Sequence, residues 1–394
     1  MKNFRKAVIL AAGQGTRMGP LTLNKPKVML PIANKPILLH VILSAREAGI
    51  KEFVLVVGYR ADTVKEFFGD GSEMNVSIKY VQQEKQLGTA DAVRCAQEHV
   101  EGRFLVLNGD IIVNPQHIKK MVKHKSDITM TARHVENPSE YGVLEVSDDR
   151  VLHIIEKPEK PPTNLANAGI YVFSPLVFDA IRRTPLSVRN EYEITDSLQL
   201  LIDSGVDVGY VTISGNWLDI GRPWDLLDAN EYFLSCLMNP SKKDGLSMGS
   251  SNLQPELKGE VEPLATLKGS VSVGEGTVIR NGAYIVGPVI IGRNCDIGPN
   301  CYIRPGTSIG DGVRIGNAVE IKNSIIMNGT HIGHLSYVGD SVIGERCNFG
   351  AGTKVANLRH DGRTIRVKLK GTLVDSGRRK LGTIMGDDVH TGIN

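Results

Sequence analysis

Two groups of residues in this chain have the types and spacing for chemistry. The first is a glycine-rich turn, Gly13-Gln14-Gly15-Thr16-Arg17-Met18, followed closely by Pro26-Lys27. Glycines at a strand end let backbone N–H groups approach phosphate closely. Arg17 and Lys27 add positive charge suited to a triphosphate. The turn is not a P-loop, because the G-K-[ST] ending is missing, and Met18 stands where a dinucleotide fingerprint needs glycine. The second group lies near the other end. Arg304 and Lys322 are eighteen residues apart, one full coil of three six-residue sides, so both cations stack on one face. His334 follows twelve residues later. A cationic pair beside a histidine suits a phosphorylated amine: the cations hold the phosphate. His334, with an ordinary pKa near ~6.5, takes the proton as the amine attacks an acetyl thioester.

The first group, read as AAGQGTRMGPLTLNKPKVML, resembles the signature of the sugar-1-phosphate nucleotidylyltransferase family. The resemblance covers most of residues 7–235. Gln82 and Leu87-Gly88-Thr89-Ala90 match the family's base-reading segment. With Gly13, Gly15 and Thr16 they are the implied nucleotide-binding residues. Tyr141-Gly142, Glu156-Lys157-Pro158, Asn167-Ala168-Gly169 and Glu191 to Asp196 match segments around the sugar and its phosphate. Asp110, after Asn108-Gly109, and Asp219, after Trp217-Leu218, match the aspartates that hold Mg²⁺. The implied reaction is attack of a sugar 1-phosphate oxygen on the α-phosphorus of a nucleoside triphosphate, releasing pyrophosphate. Both reactants are anions, so charge and positioning carry the catalysis. Mg²⁺ on Asp110 and Asp219 bridges the phosphates. Arg17 and Lys27 hold the triphosphate, and Lys157 holds the sugar phosphate.

The second group resembles the acetyltransferase half of the bifunctional UDP-N-acetylglucosamine pyrophosphorylase/glucosamine-1-phosphate N-acetyltransferase family. The resemblance rests on His334-Leu335-Ser336-Tyr337-Val338-Gly339-Asp340 and extends over roughly residues 300–362. It implies a catalytic His334, phosphate binding by Arg304 and Lys322, and substrate binding by Tyr337, Asn348 and Asn357. Ala351 falls where the backbone meets the acetyl-CoA thioester. The run after Asn357 (Leu358-Arg359-His360-Asp361-Gly362) is two residues longer than the family's, and the family's lysine is displaced to Lys368 or Lys370. Pro20-Leu21-Thr22 looks more like the thymidylyl and guanylyl branches, so UTP and dTTP both stay open, as do gluco and galacto sugars. A second reading is a monofunctional glucose-1-phosphate or mannose-1-phosphate nucleotidylyltransferase with a structural β-helix. A third is a non-enzymatic sensor or scaffold.

The elements that must position these residues differ between the two halves. Ala7–Ala12, Phe53–Gly58 and Phe104–Asn108 are short apolar runs suited to strands buried on both faces of a parallel sheet. A helical pattern over Ile37–Ala48 stops at Gly49. This grammar predicts a Rossmann-like α/β domain with a mixed, mostly parallel sheet. From Val261 a repeat takes over. Val273, Ile279, Ile285, Ile291, Ile297, Ile303, Ile309, Ile315 and Ile321 recur every six residues. The register slips by one to Ile326, Ile332 and Val338, and again to Ile343, Phe349 and Val355. Small residues such as Thr277, Cys295, Cys301, Thr307 and Cys347 follow four places on. This is the pattern of a parallel β-helix, with the aliphatic residue pointing into a triangular prism. The resemblance makes it left-handed and implies a homotrimer. The expected domains are 1–237 and 261–394, joined by a polar linker at 238–260.

The chain has 394 residues, a formal net charge of +3 and no basic block, which argues against nucleic-acid or membrane roles. No apolar run approaches a membrane span or a signal-peptide core. The five cysteines, Cys95, Cys236, Cys295, Cys301 and Cys347, include no C-x-x-C pair, so a disulfide frame or zinc site is not expected. A reducing cytoplasm fits them best.

Overall fold

A computed structural model describes residues 4–215, 217–238 and 255–394, so the middle of the expected linker lies outside the described residues. The chain forms two compact units. Of the described residues, one unit comprises 4–14, 38–215 and 217–218, the other 15–37, 219–238 and 255–394.

The first unit is built on a nine-stranded sheet. Its order is Ser77–Gln82, Glu52–Val57, Lys6–Ala11, Phe104–Asn108, Leu165–Phe173, Ile128–His134, Val208–Thr212, Arg150–Glu156 and Gly142–Ser147. The first four strands run parallel. They include the three apolar runs singled out from sequence, and Val8, Ile9, Leu55, Val56, Leu105 and Val106 are fully buried. The long strand Leu165–Phe173 then runs antiparallel to both its neighbours, so the far half of the sheet is mixed. Phe104 stacks on Phe178 and meets Phe173 edge-on, tying a helix to this seam. The expected helix is Ile37–Glu47, and Gly49, at φ 105°, ends it by donating to Arg46 O.

The second unit is a three-sided parallel β-helix. Its strands form three parallel sheets of six, five and six strands. Val271 pairs with Val289 and Val289 with Thr307, eighteen residues per coil. Ile309 then pairs with Ile326 and Glu320 with Tyr337, seventeen residues per coil. The one-residue slips read from the sequence are therefore shortened coils. Val342 next pairs with Ile384, forty-two residues on. The chain leaves the coil between them and forms a hairpin, Arg366–Leu369 with Thr372–Asp375, before closing one more turn. Ile279, Ile285, Ile297, Ile303, Ile309 and Ile321 fill the interior, each fully buried. The small partners seal the corners by hydrogen bonds: the Cys295 thiol donates to Gly310 O and the Cys347 thiol to Gly386 O. Among the described residues no disulfide joins the cysteines.

Many corners hold a left-handed residue. One column of corners holds Gly282, Asn300, Ala318, Leu335 and Gly352, all with φ between 50° and 82°. Gly and Asn take this conformation at little cost, whereas Ala318 and Leu335 do not.

Two segments outside the repeat pack within this unit. Asn34 Nδ2 donates to Ile309 O at 2.6 Å. Asn230, on the helix Asp225–Met238, is fully buried; it donates to Gly306 O and accepts from Ser308 Oγ and Ala33 N. Asp228 on the same helix pairs with Arg378.

Candidate functional sites

In the first unit the expected base-reading and sugar segments form one bonded set. Gln82 ends its strand exposed, while Gln83 turns inward and donates to Gly88 O at 3.3 Å and to Asp91 Oδ2 at 2.8 Å. Gly88 has φ 109°, and a β-carbon there would stand 2.5 Å from Tyr192 O. Tyr192 N donates to Leu87 O, Ala90 N donates to Tyr192 O, and Thr89 Oγ1 accepts from Ile194 N. Gly88 and Thr89 are thus locked to the Glu191–Thr195 segment.

Glu156 sits where that segment meets Gly142. A β-carbon on Gly142 would lie 3.0 Å from Glu156 Oε2, and Thr195 Oγ1 donates to the same oxygen. Arg189 reaches Glu156 at 3.1 Å and Glu193 at 2.6 Å. Sequence reading passed over Arg189; the signal was a cation two places before the singled-out Glu191-Tyr192 run. Burial pushes the Glu193 carboxyl up, with Arg189 opposing. Lys157 is exposed, its Nζ 3.5 Å from Glu156 Oε1. Asn167 donates to the Tyr171 hydroxyl at 2.7 Å. Trp217 Nε1 donates to Ala168 O, and the indole meets the Tyr141 ring at a tilt and the Arg133 guanidinium over its face. Gly13 is exposed with open space where a side chain would stand, and Asp110 is half-buried at a strand end.

Gly15, Thr16, Arg17, Lys27 and Asp219 belong to the second unit. Gly15 has φ 73°, and a β-carbon there would stand 2.6 Å from Lys27 Cβ. Glycine therefore lets the stem of Lys27 pass beneath the turn. Thr22 Oγ1 and Met18 N both donate to Gly15 O, closing the turn. Arg17 and Asp219 flank Gly221, whose absent β-carbon would lie 4.0 Å from Arg17 Nη1 and 3.9 Å from Asp219 Oδ1. Asp225 Oδ2 accepts from Arg222 N at 2.6 Å, and burial pushes its carboxyl to about 7.

On the β-helix the register places Arg304 one coil before Lys322, as expected. Each cation already faces a carboxylate. Arg304 Nη1 is 2.8 Å from Glu320 Oε1, and Lys322 Nζ is 3.2 Å from Asp340 Oδ2. Asp340 is buried and joins residues that the sequence singled out one by one. Asn357 Nδ2 donates to it at 2.6 Å and to the Tyr337 hydroxyl at 3.0 Å, and Asn323 donates to its other oxygen. Lys322, Tyr337 and Asn357 are thus one network around a carboxylate given no role from sequence. His334 is exposed at a corner, and Gly352 N donates to its carbonyl, which sets Ala351-Gly352 one coil beyond it. Asn348 is exposed, paired in register with His331. Lys368 and Lys370 lie exposed on the excursion hairpin. Leu358, Arg378, Arg379 and Lys380 line a cavity of about 550 Å³ beside it.

A Rossmann-like sheet carrying a glycine turn with Arg17 and Lys27, together with a β-helix, defines a two-part transferase. The nucleotidyl transferase family profile matches residues 6–235, and a GMPPB C-terminal domain profile matches residues 285–393. The chain is 40% identical over 388 residues to a protein of Methanocaldococcus jannaschii named bifunctional protein GlmU, covering 98% of this chain and 89% of that one. It is 41% identical over 392 residues to a Sulfurisphaera tokodaii protein named bifunctional sugar-1-phosphate nucleotidylyltransferase/acetyltransferase, covering 99% and 92%. Among solved structures, a glucose-1-phosphate thymidylyltransferase described as putative, from Bacillus anthracis, is 30% identical over 58% of this chain and 94% of its own, with a TM-score of 0.53. The chain belongs to the nucleotidyl transferase family and, by its match across both halves, to the bifunctional sugar-1-phosphate nucleotidylyltransferase/acetyltransferases. The monofunctional and non-enzymatic readings lose their footing with that match. Among the described residues, no helix is long and apolar enough to cross a membrane.

Proposed function

We propose that the β-helix acetylates glucosamine 1-phosphate with acetyl-CoA, and that domain 1–237 transfers a nucleotidyl group from UTP or dTTP to the resulting N-acetylglucosamine 1-phosphate. The supporting observation is the Lys322–Asp340–Asn357–Tyr337 network, a built polar site on the β-helix. Arg304 and Lys322 exchange their carboxylate partners for the sugar phosphate. Exposed His334 takes a proton from the free amine as its nitrogen attacks the thioester carbonyl; the C–S bond breaks and coenzyme A leaves as the thiol. Asn357 and Ala351 frame the acyl group, Tyr337 and Asn348 the sugar. In nucleotidyl transfer, Gly13, Gly15 and Thr16 present backbone N–H groups to the triphosphate. Gln82, Gly88 and Thr89 receive the base; Arg17 and Lys27 offset charge on the departing pyrophosphate. Gly142, Glu156 and Asn167 hold the sugar, and Lys157 its phosphate. Asp110 and Asp219 offer the hard oxygen donors that Mg²⁺ prefers, and they suit an ion shared with substrate phosphates. Bound there, Mg²⁺ supplies charge neutralisation to the phosphates. The protein works in the cytoplasm as a homotrimer, on small molecules rather than nucleic acid or membrane.

The test is acetyl-CoA-dependent thiol release with glucosamine 1-phosphate and with galactosamine 1-phosphate, in wild type and His334→Ala, alongside Mg²⁺-dependent pyrophosphate release with EDTA controls. Thiol release should vanish in the variant while pyrophosphate release persists. No thiol release from wild type with either sugar would leave the β-helix as an assembly element.

A further inference from the structure

Lys25 lies two residues before Lys27 and is buried, with 8% of its surface exposed. Its Nζ is 2.5 Å from Glu345 Oε1 and 3.4 Å from Asp387 Oδ2, both on the β-helix. The Asp387 side chain is 3% exposed, and its other oxygen accepts from Glu345 N at 2.9 Å. The two acids come from coils forty-two residues apart in sequence, the register spanned by the excursion. The neighbouring loop is seated on the same ground. Pro20 packs where a β-carbon on Gly386 would stand, and Asn34 bonds Ile309 O further along. Pro26, at φ −69°, joins Lys25 stiffly to the turn Lys27–Met29, which Met29 N closes by donating to Pro26 O.

A buried ion group of this kind is weak evidence for stability, because apolar residues of like volume pack there as well; fixing one register is its best-attested use. Here it fixes the loop that carries Arg17 and Lys27. We propose that Lys25 is a positioning residue for nucleotidyl transfer: through Glu345 and Asp387, the last two coils of the β-helix set the height and angle of the triphosphate-binding turn. The inference rests on the reading of Arg17 and Lys27 as triphosphate ligands.

The test uses the full chain and measures pyrophosphate release with UTP and dTTP, acetyl transfer, and melting. Lys25→Met and, separately, Asp387→Asn should each raise the triphosphate KM by roughly 10- to 100-fold, the scale of a small misplacement of binding groups. Acetyl transfer by Lys25→Met should match wild type, which shows that the fold is kept. Lys25→Arg, which keeps the charge, should recover part of the KM. An unchanged KM in both first variants overturns the proposal. So does parallel loss of both activities with lowered melting in Lys25→Met and Lys25→Arg alike, which marks a merely structural ion pair. Lys27→Ala separates the two readings. Full activity in that variant defeats the triphosphate assignment itself; a dead Lys27→Ala beside a normal Lys25→Met defeats only the positioning role.

Discussion

Lys322 and Asp340 face each other at 3.2 Å from successive coils, and the Asp340 side chain is only 3% exposed. Asn323 and Asn357 donate to the same carboxylate from the coils before and after it. Removing it strands a mostly buried ammonium and two amides. Asp340→Ala should therefore cost about 3 kcal/mol of unfolding free energy and lower acetyl transfer, because Asn357 and Tyr337 lose their anchor. Urea unfolding at neutral pH checks the first part. A midpoint within error of wild type would mean that solvent replaces the carboxylate.

Leu335 holds a left-handed corner, φ 50°, beside His334, and its side chain is 60% exposed. It contributes little burial and carries the steric cost of that conformation, about 1–2 kcal/mol for an ordinary L-residue. Asn300 fills the equivalent corner two coils earlier. Leu335→Asn should raise stability by about 1 kcal/mol, read as a higher urea midpoint. A lowered midpoint would show that the leucine packs against something worth more than the strain.

Gly88 is fixed by both backbone and neighbour, with φ 109° and Tyr192 O where a β-carbon would stand. Gly88→Ala must push apart the loop Leu87–Ala90 and the segment at Tyr192. The expected cost is about 2 kcal/mol, with a raised triphosphate KM and normal acetyl transfer. Equal kinetics in variant and wild type would remove this loop from the nucleotide site.

What the sequence disclosed and what it hid follow from range. The β-helix was legible because its periodicity is local, down to the five-residue step from Ile321 to Ile326 that became a seventeen-residue coil. The buried parallel strands were legible for the same reason, as continuous apolar runs. The antiparallel far half of the sheet was not, because strands such as Arg150–Glu156 mix buried Val151 and Ile154 with exposed His153 and Ile155. The site residues with family-like spacing could be named singly. Their partners could not: Asp340, Arg189 and the pair Glu345 and Asp387 acquire meaning only through registers of seventeen or forty-two residues, or through a loop folding back. Gln83 shows the limit at one residue's resolution, since inward and outward neighbours on a strand end look alike in sequence.

Asp225 sets a pH dependence of known sign. Burial raises its carboxyl from 3.8 to about 7; the Arg222 N–H bond opposes this, and the Asp219 charge adds to it. The folded protein thus holds this proton more tightly than the unfolded chain. The stabilisation is complete below the unfolded pKa and is lost as pH rises from about 4 through 7. Its size is on the order of 4 kcal/mol. Asp225→Asn keeps an oxygen for Arg222 N and carries no proton to lose. With EDTA present, to keep divalent ions from Asp219, the variant should gain on wild type as pH is raised from 5 to 8. Urea midpoints at the two pH values measure the difference. Identical pH profiles for the two proteins would mean that Asp225 ionises in the folded state as readily as in the unfolded chain.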